Sequence, residues 1–225
     1  MRVPKTGLTK PAVIFDLDGT LVRFKLRVDD AKKEFIETLR SAGIEVPGIN
    51  DKMTVSEIFD HISKRENGFL NLAKFMFFTI MERYEVEAAK ESEPRDGVER
   101  LLKKLAERRI KIGVVTNNSR HAASDSLMRV NLYNLIDVLV TRTDTNTLKP
   151  DPTNLILASR LLRVPMNMIV YVGDSHNDIL AAKKCGMMAV ALTGGVSSLE
   201  KLVSVKPHMI IERLDELEDL FLTNE

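Results

Sequence analysis

A single cysteine, Cys185, stands among the 225 residues, and tryptophan and glutamine are absent altogether. One thiol cannot form an intramolecular disulfide, so nothing points to an oxidising compartment. Cys185 lies in Ala-Ala-Lys-Lys-Cys-Gly, a context that reads as a helix end with a small packed thiol. Charge of one sign is also scarce. Thirty-three Lys and Arg face 32 Asp and Glu, a formal net charge of +1, which argues against a polyanion-binding surface or an acidic tail. Nucleic acid is therefore not an expected partner. Long apolar runs are missing too: Phe69 to Met81 is the most hydrophobic stretch, but Asn71 and Lys74 interrupt it, and it is shorter than the roughly 20 residues that span a bilayer. The first eleven residues carry Arg2, Lys5 and Lys10 with no apolar segment of the secretory type. No membrane association and a cytoplasmic location are the expectations. Plentiful Lys, Arg and Glu without Gln is a bias of hyperthermophile proteins and hints at a thermophilic source.

What is present is organised as alternating helix and strand from about residue 95 onward, the pattern of a parallel sheet covered on both faces. Short apolar runs predict strands at Ala12 to Phe15, Lys111 to Val115, Asp137 to Val140, Ile169 to Val172, Ala189 to Leu192 and Met209 to Ile211. Pro94, Asp96 and Gly97 open a helix carrying Val98, Leu101, Leu102 and Leu105 at helical spacing, with Arg108 and Arg109 in its last turn. Between Arg23 and Glu93 there is no strand run, and three helical patterns take its place: Asp30 to Ala42, Thr54 to Arg65 and Phe69 to Lys90. Gly43 and Gly68 are read as helix ends, and Thr54 with Glu57 as a capping box. The expected fold is a doubly wound α/β sheet of Rossmann-like type, residues 1–22 and 94–225, with an all-helical module, residues 23–93, inserted after the first strand. The stripe Leu72, Phe75, Met76, Thr79 and Ile80 is expected to pack the core of the insert. Phe77 and Phe78 widen the apolar surface beyond one face, which raises the prospect of a homodimer.

The run Val13 to Val22 delivers two carboxylates, Asp16 and Asp18, from the end of an apolar strand. Side chains two apart share a face, so both can serve one site while Leu17 turns into the core. Gly19 then permits a sharp turn. Three further segments follow β-branched apolar runs: Thr116-Asn117-Asn118, Lys149-Pro150, and Gly173-Asp174-Ser175 with Asp178. In an open parallel sheet such strand ends are where ligands bind.

In order and spacing, these four segments resemble the four motifs of the haloacid dehalogenase superfamily, specifically its phosphatase branch. The resemblance runs from about Pro11 to about Ile211. It implies a core with a helical cap, Mg2+ as cofactor and a small phosphorylated metabolite as substrate. By resemblance, Asp16 is the nucleophile that forms an aspartyl-phosphate, and Asp18 is the general acid and base. Thr116 and the main-chain N–H of Asn117 bind phosphoryl oxygens, and Lys149 supplies the neutralising cation. Asp16, the Asp18 carbonyl and Asp174 hold the metal, joined by Asp178 through water or by orienting a ligand. Asn118 and Ser175 are read as loop-shaping residues without a direct role. An acid at position 18 argues against the dehalogenase branch, since a halide leaves without protonation.

The substrate is less legible. Arg23, Lys25 and Arg27 follow the first motif where many small-substrate relatives carry an Asp-Ser pair, and they are either receptors for a second anionic group or linker charges. His61, Lys64 and Arg65 are candidates for a cap surface, and His121 and His176 stand near the second and fourth motifs. Phosphoglycolate hydrolysis is the leading expectation. A phosphomutase resembling the β-phosphoglucomutases and a non-catalytic phosphate-binding module are the alternatives.

Overall fold

The computed structural model describes residues 11–23, 25–64 and 69–221. Phe24, Arg65 and Gly68, and with them the expected helix end at Gly68, lie outside the described residues. The elements in chain order are β1 (Ala12–Phe15), α1 (Val28–Ser41), α2 (Val55–Ser63), α3 (Phe69–Lys90), α4 (Val98–Glu107), β2 (Lys111–Val115), α5 (Arg120–Arg129), β3 (Val138–Val140), α6 (Arg142–Thr145), α7 (Thr153–Leu162), β4 (Ile169–Gly173), α8 (His176–Lys184), β5 (Met188–Leu192), α9 (Leu199–Ser204), β6 (Met209–Ile211) and α10 (Glu218–Phe221). Two compact units result, one of residues 26–88 and one of the chain on either side.

In the larger unit the six strands pair in parallel in the order β3-β2-β1-β4-β5-β6, so the doubly wound expectation holds. Strand alternation splits the core into two layers. Val13, Phe15, Ile112, Val114, Val170 and Val172 face the α4 and α5 side. Ala12, Ile14, Val140, Ile169, Tyr171 and Ala189 face α7 and α8. Burial on both faces is what allows strands of nearly continuous Val, Ile and Ala. The alternation continues past the end of β1: Leu17 is fully buried in the first layer, leaving Asp16 and Asp18 to the opposite side. Helix α4 is shorter than expected. Arg108 is its C-cap and Arg109 adopts a left-handed φ of 56°.

Cys185 caps the end of α8 and is buried, and burial pushes its thiol up to about 11. At neutral pH it is a packed neutral group.

The smaller unit is helical, and Thr54 and Glu57 form the expected capping box. Its core corrects one expectation. The buried face of α3 is Ala73, Phe77, Ile80 and Met81, whereas Leu72 and Phe75 are 51% and 69% exposed and Thr79 is also exposed. The helix is apolar over most of its circumference, so spacing alone could not choose the inner face. The aromatic cluster chooses it: the Phe77 ring meets Phe35, Phe59 and Phe78 at centroid distances of 5.4, 5.5 and 5.7 Å, the first two nearly edge to face. No described helix is long and apolar enough to cross a membrane.

Phe77→Ala is expected to lower the unfolding free energy by about 3–5 kcal/mol in urea titrations. Phe75→Ser on the exposed face is expected to change it by less than about 0.5 kcal/mol. Equal losses would overturn this assignment of faces.

Candidate active site

The turn after β1 is built from main-chain bonds that the sequence Asp-Gly-Thr-Leu-Val makes possible. The Leu17 carbonyl accepts from the amides of Thr20, Leu21 and Val22, and the Gly19 amide donates to the Val22 carbonyl at 2.8 Å. Gly19 has φ +82°, a conformation that a side chain disfavours. The turn holds Asp16 and Asp18 at the carboxyl end of the central strand, beside the ends of β2 and β4. That is the point where the strand order reverses.

Four of the seven residues singled out in the sequence converge on one buried cluster. Lys149 Nζ donates to Asp16 Oδ1 at 2.5 Å and to Asp178 Oδ1 at 2.6 Å, with the Val115 carbonyl and the Tyr171 hydroxyl each at 3.2 Å. Carboxylate oxygens of Asp16, Asp174 and Asp178 all lie within 4.8 Å of one another. Burial, then the neighbouring charge of Asp178, raises the Asp16 carboxyl well above the usual carboxylate range, against the opposing pull of Lys149. Burial works to lower the Lys149 ammonium, but Asp16 and Asp178 outweigh it and raise it, so the lysine stays charged. Burial and Asp178 likewise push Asp174 up to about 6. The Lys149–Pro150 peptide bond is cis.

Asp178 is the third residue of α8 and forms a capping box with Ser175. Its Oδ1 accepts from Lys149 and Tyr171, and its Oδ2 from the Ser175 amide and hydroxyl. A carboxylate has about four lone-pair sites, so the protein already occupies all of them. Asp16 differs: its Oδ2 accepts no hydrogen bond from any described residue.

Asp174 sits in a slot. Thr20 Oγ1 donates to its Oδ1 at 3.1 Å and the Val196 amide to its Oδ2 at 2.6 Å. A Cβ added at Gly19 would lie 2.3 Å from Asp174 Oδ2, and one at Gly195 would lie 2.1 Å from the same atom. Any side chain at either position would push the carboxylate out.

The remaining three residues line the adjoining loop. The Thr116 hydroxyl accepts from the Asn118 amide at 3.1 Å. Asn117 uses its side-chain Oδ1 to accept from the Lys149 amide at 2.9 Å, and its own main-chain N–H has no partner among the described residues. Asp18 Oδ2 accepts from Asn118 Nδ2 at 2.6 Å. Asn118 thus has a direct contact that the sequence reading did not assign to it. Tyr171 and Thr20 were also missed. The signal for Tyr171 was available, because a hydroxyl in a fully buried parallel strand must find a partner.

The other candidates make local contacts of their own. Arg23 pairs with Asp96 and Glu93, Lys25 with Glu93, and Arg27 with Asp30 and Glu87. Each is paired with carboxylates at the surface. His61 bonds the Pro47 carbonyl, Lys64 is the C-cap of α2, and His121 pairs with Asp125 on an exposed helix face. His176 contacts Ser197, and burial followed by Lys201 lowers its pKa.

The family model described as haloacid dehalogenase-like hydrolase matches residues 13–192. A protein named "Putative pyrophosphatase PpaX" from Caldanaerobacter subterraneus is 31% identical over 213 residues, 92% of each chain. The phosphoglycolate phosphatase of Xanthomonas campestris is 29% identical over 204 residues, 87% of this chain and 86% of that one. Among solved structures, a "predicted phosphatase" from Clostridium acetobutylicum superposes with a TM-score of 0.72 over 96% of this chain and 100% of that one; at 20% identity the likeness shows the fold alone.

Lys149→Met strands two buried carboxylates and is expected to lower stability by about 3 kcal/mol at pH 8 in chelator-containing buffer. The folded Asp16 carboxyl holds its proton more tightly than the unfolded one. The variant is therefore most stable at low pH and loses stability as pH rises through the folded value. Urea unfolding at pH 5 should accordingly show a smaller difference from the parent. An equal deficit at both pH values would count against the electrostatic account.

Proposed function

Because the chain belongs to the haloacid dehalogenase-like hydrolases, we propose that it is a Mg2+-dependent phosphatase acting on a small phosphate monoester through an aspartyl-phosphate. The observation that carries the mechanism is the asymmetry of Asp16. Lys149 clamps one oxygen of its carboxylate, and the other accepts no bond from the protein. In this reading Oδ2 attacks phosphorus, the bond from phosphorus to the leaving oxygen breaks, and Asp18 gives that oxygen a proton. Asp18 then takes a proton from the water that hydrolyses the acyl phosphate. Asn118 orients Asp18 for both transfers. The Thr116 hydroxyl and the unpartnered Asn117 N–H serve as donors to the phosphoryl oxygens, and Lys149 offsets their charge.

The donor set suits a hard divalent cation. Three buried carboxylates against one ammonium leave an excess of negative charge, and the raised Asp174 would be relieved by a bound ion. Asp16, Asp174 and the Asp18 carbonyl would hold Mg2+, which when bound would neutralise phosphoryl charge. With its acceptor sites filled, Asp178 would act by fixing Lys149 rather than through water. The helical insert, residues 23–93, would serve as the cap domain.

For the substrate, phosphoglycolate is the first choice, supported by the name of the Xanthomonas relative. Pyrophosphate is the second, supported by the name of the relative at 31% identity.

Inorganic phosphate release from a panel holding phosphoglycolate, pyrophosphate and hexose phosphates, with and without Mg2+, tests the proposal. Strong Mg2+-dependent turnover of one compound is expected, and chelation should abolish it. Asp16→Asn should eliminate turnover, and Asp18→Asn should reduce kcat by about 10²–10⁴. Unchanged hydrolysis by the Asp16 variant would overturn the mechanism, and interconversion of hexose-phosphate isomers without phosphate release would favour a mutase.

A further inference from the structure

Arg95 was not singled out by the sequence, and its surroundings are unusual for an arginine. It lies in the segment leading into α4, where its amide donates to the Leu21 carbonyl at 2.9 Å. Its guanidinium makes no ion pair with a described carboxylate. Nη1 donates to the Gly19 carbonyl and Nη2 to the Thr193 carbonyl at 3.0 Å. Carboxylates are close by, in a cleft of about 460 Å3 that Arg95 lines with Arg23, Asp96, Arg100, Arg213 and Asp215. Two of them are already taken, Arg23 binding Asp96 while Arg100 and Arg213 bind Asp215, and Glu212, which also lines the cleft, makes no ion pair with Arg95. Arg95 instead spends its donors on main chain.

The two carbonyls belong to loops that leave β1 and β5, strands that do not pair with each other because β4 lies between them. Asp174 follows β4. The same two loops supply both walls of its slot, Gly19 on one side and Gly195 on the other, together with its donors Thr20 and Val196. A planar guanidinium bonded to both loops fixes the spacing between them in a way that a point-charge ammonium cannot. We propose that Arg95 is a positioning residue that sets the width of the Asp174 slot and through it the affinity of the site for a divalent cation. The role rests on the cation reading of the Asp16 and Asp174 cluster.

Mn2+ binding to the purified full-length protein without substrate, followed by the electron paramagnetic resonance signal of free Mn2+, separates the two ideas. Parent protein is expected to bind Mn2+, and Arg95→Met to bind it about 10- to 100-fold more weakly, the range typical of residues that orient ligands. Arg95→Lys, which retains one contact, should fall between them. Arg100→Met, in the same cleft, should match the parent. Thermal unfolding in chelator serves as the control for folding, and if Arg95→Met does not fold, Arg95→Lys carries the comparison. Parent-like Mn2+ affinity in the folded Arg95 variants, or an equal loss in Arg100→Met, would overturn the role of Arg95 while leaving the cation reading intact. Absence of Mn2+ binding by the parent would overturn both.

Discussion

One ammonium group between two buried carboxylates is the constraint from which the rest of the site follows. Lys149 reaches Asp16 at the end of β1 and Asp178 in the first turn of α8, so a single side chain ties together three segments from different parts of the chain. Carboxylates this buried and this close repel each other and lose hydration, and only a well-placed opposite charge with every donor used makes the arrangement tenable. The tyrosine hydroxyl of β4 and the Val115 carbonyl complete the shell around the ammonium. The lysine is thereby held charged beside the Asp16 carboxylate, a preorganisation that would suit a dianionic reactant.

The parallel sheet makes that constraint possible. Every crossover returns the chain so that strand ends of one polarity meet along one edge, and each loop emerging there contributes a few polar groups to the same place. The two glycines that flank Asp174 show how tightly these loops pack, since a single methyl group at either would occupy the space of its carboxylate. The capping box of α8 has a dual role. It satisfies the helix start, and it fixes the carboxylate that in turn fixes Lys149.

The smaller unit rests on different physics. Its core is an aromatic cluster around Phe77 with aliphatic residues from α1 and α2, and its polar groups are mostly surface pairs worth little individually. Its sequence therefore encodes stability more legibly than it encodes a ligand.

What the sequence by itself determined is local. Six short apolar runs specified the strands, nearly to the residue for Lys111–Val115, because β-branched residues buried on both faces have few other uses. The Thr54 and Glu57 spacing specified a helix start, and the Asp-x-Asp at the end of β1 announced a shared face, since both patterns depend only on neighbours along the chain. The tertiary structure alone decided which face of α3 turns inward, that Asn118 holds Asp18, that Tyr171 completes the lysine shell, and that Arg95 joins the Gly19 and Thr193 carbonyls. Several join residues remote in sequence, 100 positions apart for Asn118 and Asp18 and 98 for Arg95 and Thr193. Those of the larger unit exist because the sheet places β1 beside β4 and sets β5 one strand further away, an order that no periodicity within a single segment records.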